Sequence, residues 1–184
     1  GLVKELVSWL GLVLAGLLLF IIPGWALLSW LWPGWSKLHW GAKAGLSSGI
    51  SLAIYPIMLL WTRVVGIKLG SLYAWLPALA GLLALGWRNR QLLNLKRHKV
   101  AEEKQTPQFS DLAITGVICL IFLVRFWAVR SLEAPMWGDS YYHTVMAQLI
   151  VDNKGLFDAW QPYASTQSCT YHYGFHSLAA VLYL

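Results

Sequence analysis

Apolar residues run in long blocks along this chain, and polar residues are confined between them. Residues 7–31 and 70–87 contain no Lys, Arg, Asp or Glu. A helix that crosses a membrane needs roughly 17–25 residues of this kind. The pattern predicts five spans: about 7–30, 44–61, 70–87, 111–129, and one that begins near Tyr173 and is cut off at Leu184. Pro23 and Gly24 lie inside the first and predict a kink or a break into two half-helices. Pro77 lies inside the third. The second is rich in Gly and Ser, which suits close packing of helices in lipid.

Between the fourth and fifth spans the period changes. Tyr142, Val145, Met146, Leu149 and Ile150 recur at helical spacing, which predicts an amphipathic helix from Ser140 to about Asn153 lying at the membrane boundary. Asp139 is placed to cap it, and Lys154 and Gly155 to stop it. The expected fold class is therefore an all-α membrane protein with about five transmembrane helices plus one interfacial amphipathic helix in an outer loop.

Composition agrees with that pattern. The chain is 58% hydrophobic and 12% charged, against about 25% charge in an ordinary soluble domain. Twelve of its 184 residues are Trp, a residue that favours membrane–water boundaries. Trp30, Trp32, Trp35 and Trp40 form an expected inner-boundary belt. The net charge of +6 does not point to nucleic acid, because the basic residues cluster between the spans. Cys119 in an apolar run and Cys169 in a polar loop predict no disulfide.

Basic residues also set an expected orientation. Arg88, Arg90, Lys96, Arg97, Lys99 and Lys104 mark residues 88–110 as a basic cytoplasmic linker, and Lys37 and Lys43 fall on the same side. Lys4, Arg63, Lys68, Arg130 and Lys154 fall on the other. The positive-inside rule then places the amino terminus and the loop 130–172 outside. The linker divides a three-span module, residues 1–87, from a second module, residues 111–184. The first residue is not Met and the last lies in an apolar run, so the expectation is a fragment of a longer chain.

The polar chemistry gathers in the outer loop. Asp139 is either a helix cap or a carboxylate at the mouth of an outer cavity, fit to act as a general base or metal ligand. His143 is one turn on and shares its face. His172 and His176 are also four apart. Asp139, His143, His172 and His176 are thus a candidate set for one divalent ion, Mn, Mg or Zn. The alternative is that the histidines hydrogen-bond at the membrane boundary. Arg125, inside the fourth span, either snorkels outward or binds a lipid phosphate together with Arg130.

From the fourth span onward the chain resembles the start of a prokaryotic C-type (polyprenyl-phosphate-sugar-dependent) membrane glycosyltransferase. The motif Trp137-Gly-Asp139-Ser-Tyr-Tyr-His143 and the segment Tyr171-His-Tyr-Gly-Phe-His176 carry that resemblance. Ile22-Pro-Gly-Trp-Ala-Leu-Leu28 and Gly45-Leu-Ser-Ser-Gly-Ile-Ser-Leu52 resemble a module of prokaryotic membrane proteins. Asp139 is followed by Ser140, where many members of the glycosyltransferase family pair two acids. The resemblance implies a multi-pass protein of the prokaryotic cytoplasmic membrane that acts in the cell envelope. It implies Asp139 as the general base, Arg125 or Arg130 on the lipid phosphate, and Trp137, Tyr141, Tyr142 and His143 against the substrate. The implied partners are membrane lipids and a polyprenyl-phosphate-linked sugar. Two other readings of the sequence stand beside it, a lipid or polysaccharide transporter or flippase and a non-catalytic assembly subunit.

Overall fold

A computed structural model of the chain describes residues 2–95, 109–130, 138–165, 167 and 172–184. The described residues are all-α. The elements are α1 (Leu2–Leu31), a 3₁₀ turn (Trp35–Lys37), α2 (Trp40–Val65), α3 (Ser71–Leu95), α4 (Phe109–Val129), α5 (Gly138–Asp152) and α6 (Gly174–Tyr183). Among the described residues three segments are long and apolar enough to cross a membrane: Leu6–Leu31, Trp40–Val65 and Asp111–Ala128. Five were expected. The expected third span is present as α3, whose described part is too polar to qualify because it continues through Arg88, Asn89 and Arg90. The expected fifth, cut off at Leu184, is present as the 10 residues of α6.

Of the kink or break expected at Pro23, the break does not occur, and α1 is one helix. Proline lacks an N–H, so the carbonyl of Leu19, four residues earlier, loses its helical donor. The Tyr55 hydroxyl on α2 fills that place, donating to Leu19 O at 3.0 Å, with Ala74 O of α3 as a second acceptor at 3.2 Å. One residue on, Gly24 N–H donates to Ser51 Oγ at 2.8 Å. Neighbouring helices thus satisfy what the proline disrupts, which is how proline is tolerated in lipid.

Small residues let these backbones meet. A Cβ on Gly24 would lie 2.0 Å from the carbonyl oxygen of Ser47, and one on Gly81 would lie 3.1 Å from that of Ile22. Ser47, Ser51, Tyr55 and Leu59 form the buried stripe of α2, spaced by four. Tyr73 of α3 closes the bundle by donating to Tyr55 O at 2.9 Å.

Local caps set the ends of α2. His39 Nδ1 accepts from Gly41 N–H at its start. At its end Gly66 adopts φ 74°, and Ile67 N–H returns to Thr62 O at 2.9 Å. The belt of four Trp is partly corrected. Trp30, Trp32 and Trp40 are exposed, whereas Trp35 is buried edge-on against Trp25, with ring centroids 5.1 Å apart.

Helix α4 stands apart from this packing. None of its apolar window is buried. Among the described residues it meets the bundle in an edge contact between Trp9 and Phe126 and in a hydrogen bond from His39 Nε2–H to Asp111 Oδ2 at 3.2 Å. Residues 88–95, assigned to the linker by their charge, continue α3. Residues 96–108 lie outside the described residues. Cys119 is a free thiol on α4, and Cys169 lies outside the described residues.

Candidate functional site

The polar loop residues come together where α5 meets α6. Helix α5 begins at Gly138, two residues earlier than expected, so Asp139 sits in its first turn rather than ahead of it. A carboxylate there still faces the positive end of the helix dipole. The stop differs too: Lys154 itself takes the left-handed conformation, φ 55°, and Gly155 N–H closes back on Ile150 O at 3.0 Å.

The apolar face of α5 is covered by protein. Val145, Met146, Leu149 and Ile150 are buried in one core with Ala180 and Val181 of α6, Tyr55 and Leu59 of α2, and Tyr73 of α3. That packing fixes the helix axis and turns Tyr141, Tyr142 and Asp139 outward. Phe157, Trp160 and Tyr173 form an aromatic wall behind α6, meeting edge to face.

His143 and His176 meet across the two helices. His143 Nδ1 lies 2.8 Å from His176 Nε2, and the rings are near-parallel with centroids 5.0 Å apart. His176 is buried and its Nδ1 lies 3.2 Å from the carbonyl oxygen of His172. A carbonyl only accepts, so His176 carries its proton on Nδ1. In the neutral ring Nε2 is then an acceptor, and His143 Nδ1–H is the donor to it. Burial holds the His176 pKa below the ordinary histidine value, and the neighbouring His143 adds to that, against the opposing bond to His172 O.

Of the four expected ligands, the geometry brings the rings of His143 and His176 together. Among the described residues no three His, Cys, Asp or Glu side chains gather to hold a metal ion. Two nitrogens each roughly 2.0–2.1 Å from a tetrahedral zinc stand about 3.3 Å apart. His143 and His176 are closer than that and have the spacing of a shared proton.

The remaining candidates separate. Arg125 is exposed on α4, and the Arg130 guanidinium lies 3.4 Å above the Trp127 ring, a cation–π arrangement within one helix end. Trp137 lies outside the described residues. Two other loop carboxylates are engaged in holding structure. Asp152 accepts from Gln148 at 2.7 Å and from the Tyr163 hydroxyl at 3.2 Å, and Asp158 pairs with Arg63.

Sequence reasoning passed over Tyr55, Tyr73 and Ser51, which hold the bundle beneath the site. The signal was Pro23, since a missing N–H demands an outside donor, but nothing in the sequence says which. It also passed over an apolar cleft of about 440 Å³ lined by Pro56, Leu59, Leu60, His172, Tyr173 and Gly174, beside the start of α6.

Comparison of the chain with known protein families, with curated proteins and with solved structures found no match.

Proposed function

We propose that this chain is a membrane glycosyltransferase, or part of one, that moves a sugar from a polyprenyl-phosphate carrier to an acceptor hydroxyl on the non-cytoplasmic side. One observation carries the reading. Asp139 and His143 lie one turn apart on a rigidly packed α5, and an apolar cleft adjoins the other helix of the same site. The cleft suits an isoprenoid chain, and the polar ends of α5 and α6 suit a sugar.

In this reading Asp139 takes the proton of the acceptor hydroxyl. The oxygen attacks the anomeric carbon, the bond from that carbon to the phosphate oxygen breaks, and the electron pair leaves with the lipid phosphate. That leaving group needs positive charge, for which Arg125 and Arg130, at the outer end of α4, are the candidates the sequence offers. Tyr141, Tyr142 and Trp137 contact the sugar. The polar groups of the α1–α3 bundle offer little to a transport path, since Ser51, Tyr55 and Tyr73 are spent in bonds between helices.

The test uses the full-length protein in liposomes with a labelled polyprenyl-phosphate sugar and a hydroxyl acceptor. Asp139→Asn keeps shape and removes the base, so transfer is expected to fall roughly a hundredfold or more. Unchanged transfer by Asp139→Asn would remove Asp139 from the reaction.

A further inference from the structure

At the far end of α5 from Asp139, the last turn of α2 meets the turn after α5 around a pocket of about 90 Å³. Arg63, Gly66, Lys68 and Gly155 are among the residues that line it. We propose that this pocket binds a phosphate group, presented by the headgroup of an anionic membrane lipid. The site does not depend on the glycosyl-transfer reading. Helix α5 has 15 residues, which at 1.5 Å per residue puts Gly155 roughly 20 Å from Asp139. A phosphate held at Gly155 is therefore not the leaving group of a reaction at Asp139.

Charge selects the class of occupant. Arg63 and Lys68 both line the pocket, and Asp158 pairs with Arg63. Among the described residues Lys68 pairs with no carboxylate. Lys154 and Asp152, on either side of Asn153, offset each other. One positive charge is left over, which matches the single negative charge of a phosphodiester. Asp158 accepts from Nη2 of Arg63, and a guanidinium has five N–H donors, so others remain for a second anion. The negative end of the α2 dipole opposes an anion here. It is partly spent, because Gly66 N–H donates to Arg63 O at 3.1 Å and Ile67 N–H to Thr62 O at 2.9 Å. A Cβ added at Gly66 or at Gly155 would meet nothing within 4 Å, so the space beside both is open.

Depth selects a lipid over a free ion. Helix α2 has 26 residues, a length of about 39 Å, against a hydrocarbon core about 30 Å thick. Its last turn, which carries Arg63, therefore reaches the level of the headgroups, where lipid phosphates lie. On that stretch of α2, Trp61, Val64 and Val65 are exposed. They offer acyl chains an apolar wall beneath the cations, and Trp at this level is the residue type that favours the boundary. The pocket and the wall together match a molecule with one anionic head and apolar tails.

The experiment is native mass spectrometry of the full-length protein released from detergent. It is titrated with phosphatidylglycerol, with phosphatidylcholine of the same chain length, and with inorganic phosphate. The wild type should bind one phosphatidylglycerol roughly tenfold more tightly than phosphatidylcholine, and inorganic phosphate more weakly still. Arg63→Gln and Lys68→Gln should each lower the affinity for phosphatidylglycerol roughly fivefold, and Arg63→Lys should keep most of it. Lys68 is exposed, so Lys68→Gln tests the site with the fold intact. Asp158→Asn breaks the same ion pair as Arg63→Gln but leaves the cation, so it should raise the affinity. A loss there as large as in Arg63→Gln would mean that the pair acts only by holding the fold, and overturns the proposal. Lys37→Gln, in the turn before the other end of α2, should leave the affinity unchanged, and a fall equal to that of Lys68→Gln would reduce the effect to overall charge. Equal affinity of the wild type for the two lipids, or unchanged affinity in Lys68→Gln, overturns the site. Inorganic phosphate that binds as tightly as phosphatidylglycerol overturns the lipid as its occupant.

Discussion

Helices α2 and α4 have similar length and both are apolar enough to span a membrane, yet one is gripped by its neighbours and the other is not. Along α2, Ser47, Ser51, Tyr55 and Leu59 are sealed against α1 and α3. Along α4, Ile118, Phe122 and Leu123 all stay exposed. Apolarity takes a helix into lipid, but lipid tails are as apolar as leucine, so apolarity gives helices no reason to pair. Small and hydroxylated residues supply that reason, by allowing close approach and by bonding to carbonyls. Helix α2 has them in register with Gly24 and Pro23 of α1. Helix α4 presents large aliphatic and aromatic side chains instead along residues 120–124.

The contrast can be broken by substitution. Gly24→Ala places a methyl against the Ser47 carbonyl and should cost roughly 3 kcal/mol as α1 and α2 are forced apart. Thermal unfolding in detergent reads this, and an unchanged melt would mean that the helices do not approach so closely. Leu59→Ala, in the buried stripe, should cost about 2 kcal/mol, near the low end for a core leucine because lipid rather than water is its alternative. Leu123→Ala on α4 should cost under about 0.5 kcal/mol. Equal losses at the two leucines would erase the distinction between the helices. Tyr55→Phe leaves the Leu19 carbonyl without its outside donor and should cost about 1 kcal/mol.

A smaller effect separates the α5–α6 contact from the bundle. Because the folded state holds His176 below its ordinary value of 6.5, the unfolded chain binds more protons in the interval between the two. The contribution of His176 is therefore complete above about 6.5 and declines as pH falls below it. Melts of wild type and His176→Phe, compared from pH 8 to pH 5, should converge at the acid end. A wild type whose stability rises as the pH falls from 8 to 5 would contradict the burial of a neutral ring.

How much of this was readable in advance follows the same division. Helix positions, the apolar face of α5 and the close packing of α2 were legible, because period and residue size act locally. The unbroken α1 was not. Pro23 signals a local fault, and its repair by Tyr55 comes from a residue 32 positions away along the sequence. The histidines show the limit most clearly. Spacing by four offered His172 with His176, and Asp139 with His143, yet the bond that forms joins His143 to His176 across two helices. His172 enters through its carbonyl, which accepts from His176 Nδ1. Three helices among the described residues, rather than five, are long and apolar enough to span a membrane, and at α3 the apolar run gave no sign that the helix continues into polar residues.

The central claim is a division of labour, in which α1–α3 hold the protein together and α5–α6 carry the chemistry that we propose. The most direct measurement is sugar transfer and melting temperature, taken side by side on Asp139→Asn and Gly24→Ala in the same lipid. The account predicts that Asp139→Asn abolishes transfer at a nearly unchanged melting temperature, while Gly24→Ala lowers the melting temperature and, below it, retains transfer. Full transfer by Asp139→Asn, together with a melting temperature lowered as far as in Gly24→Ala, would contradict it.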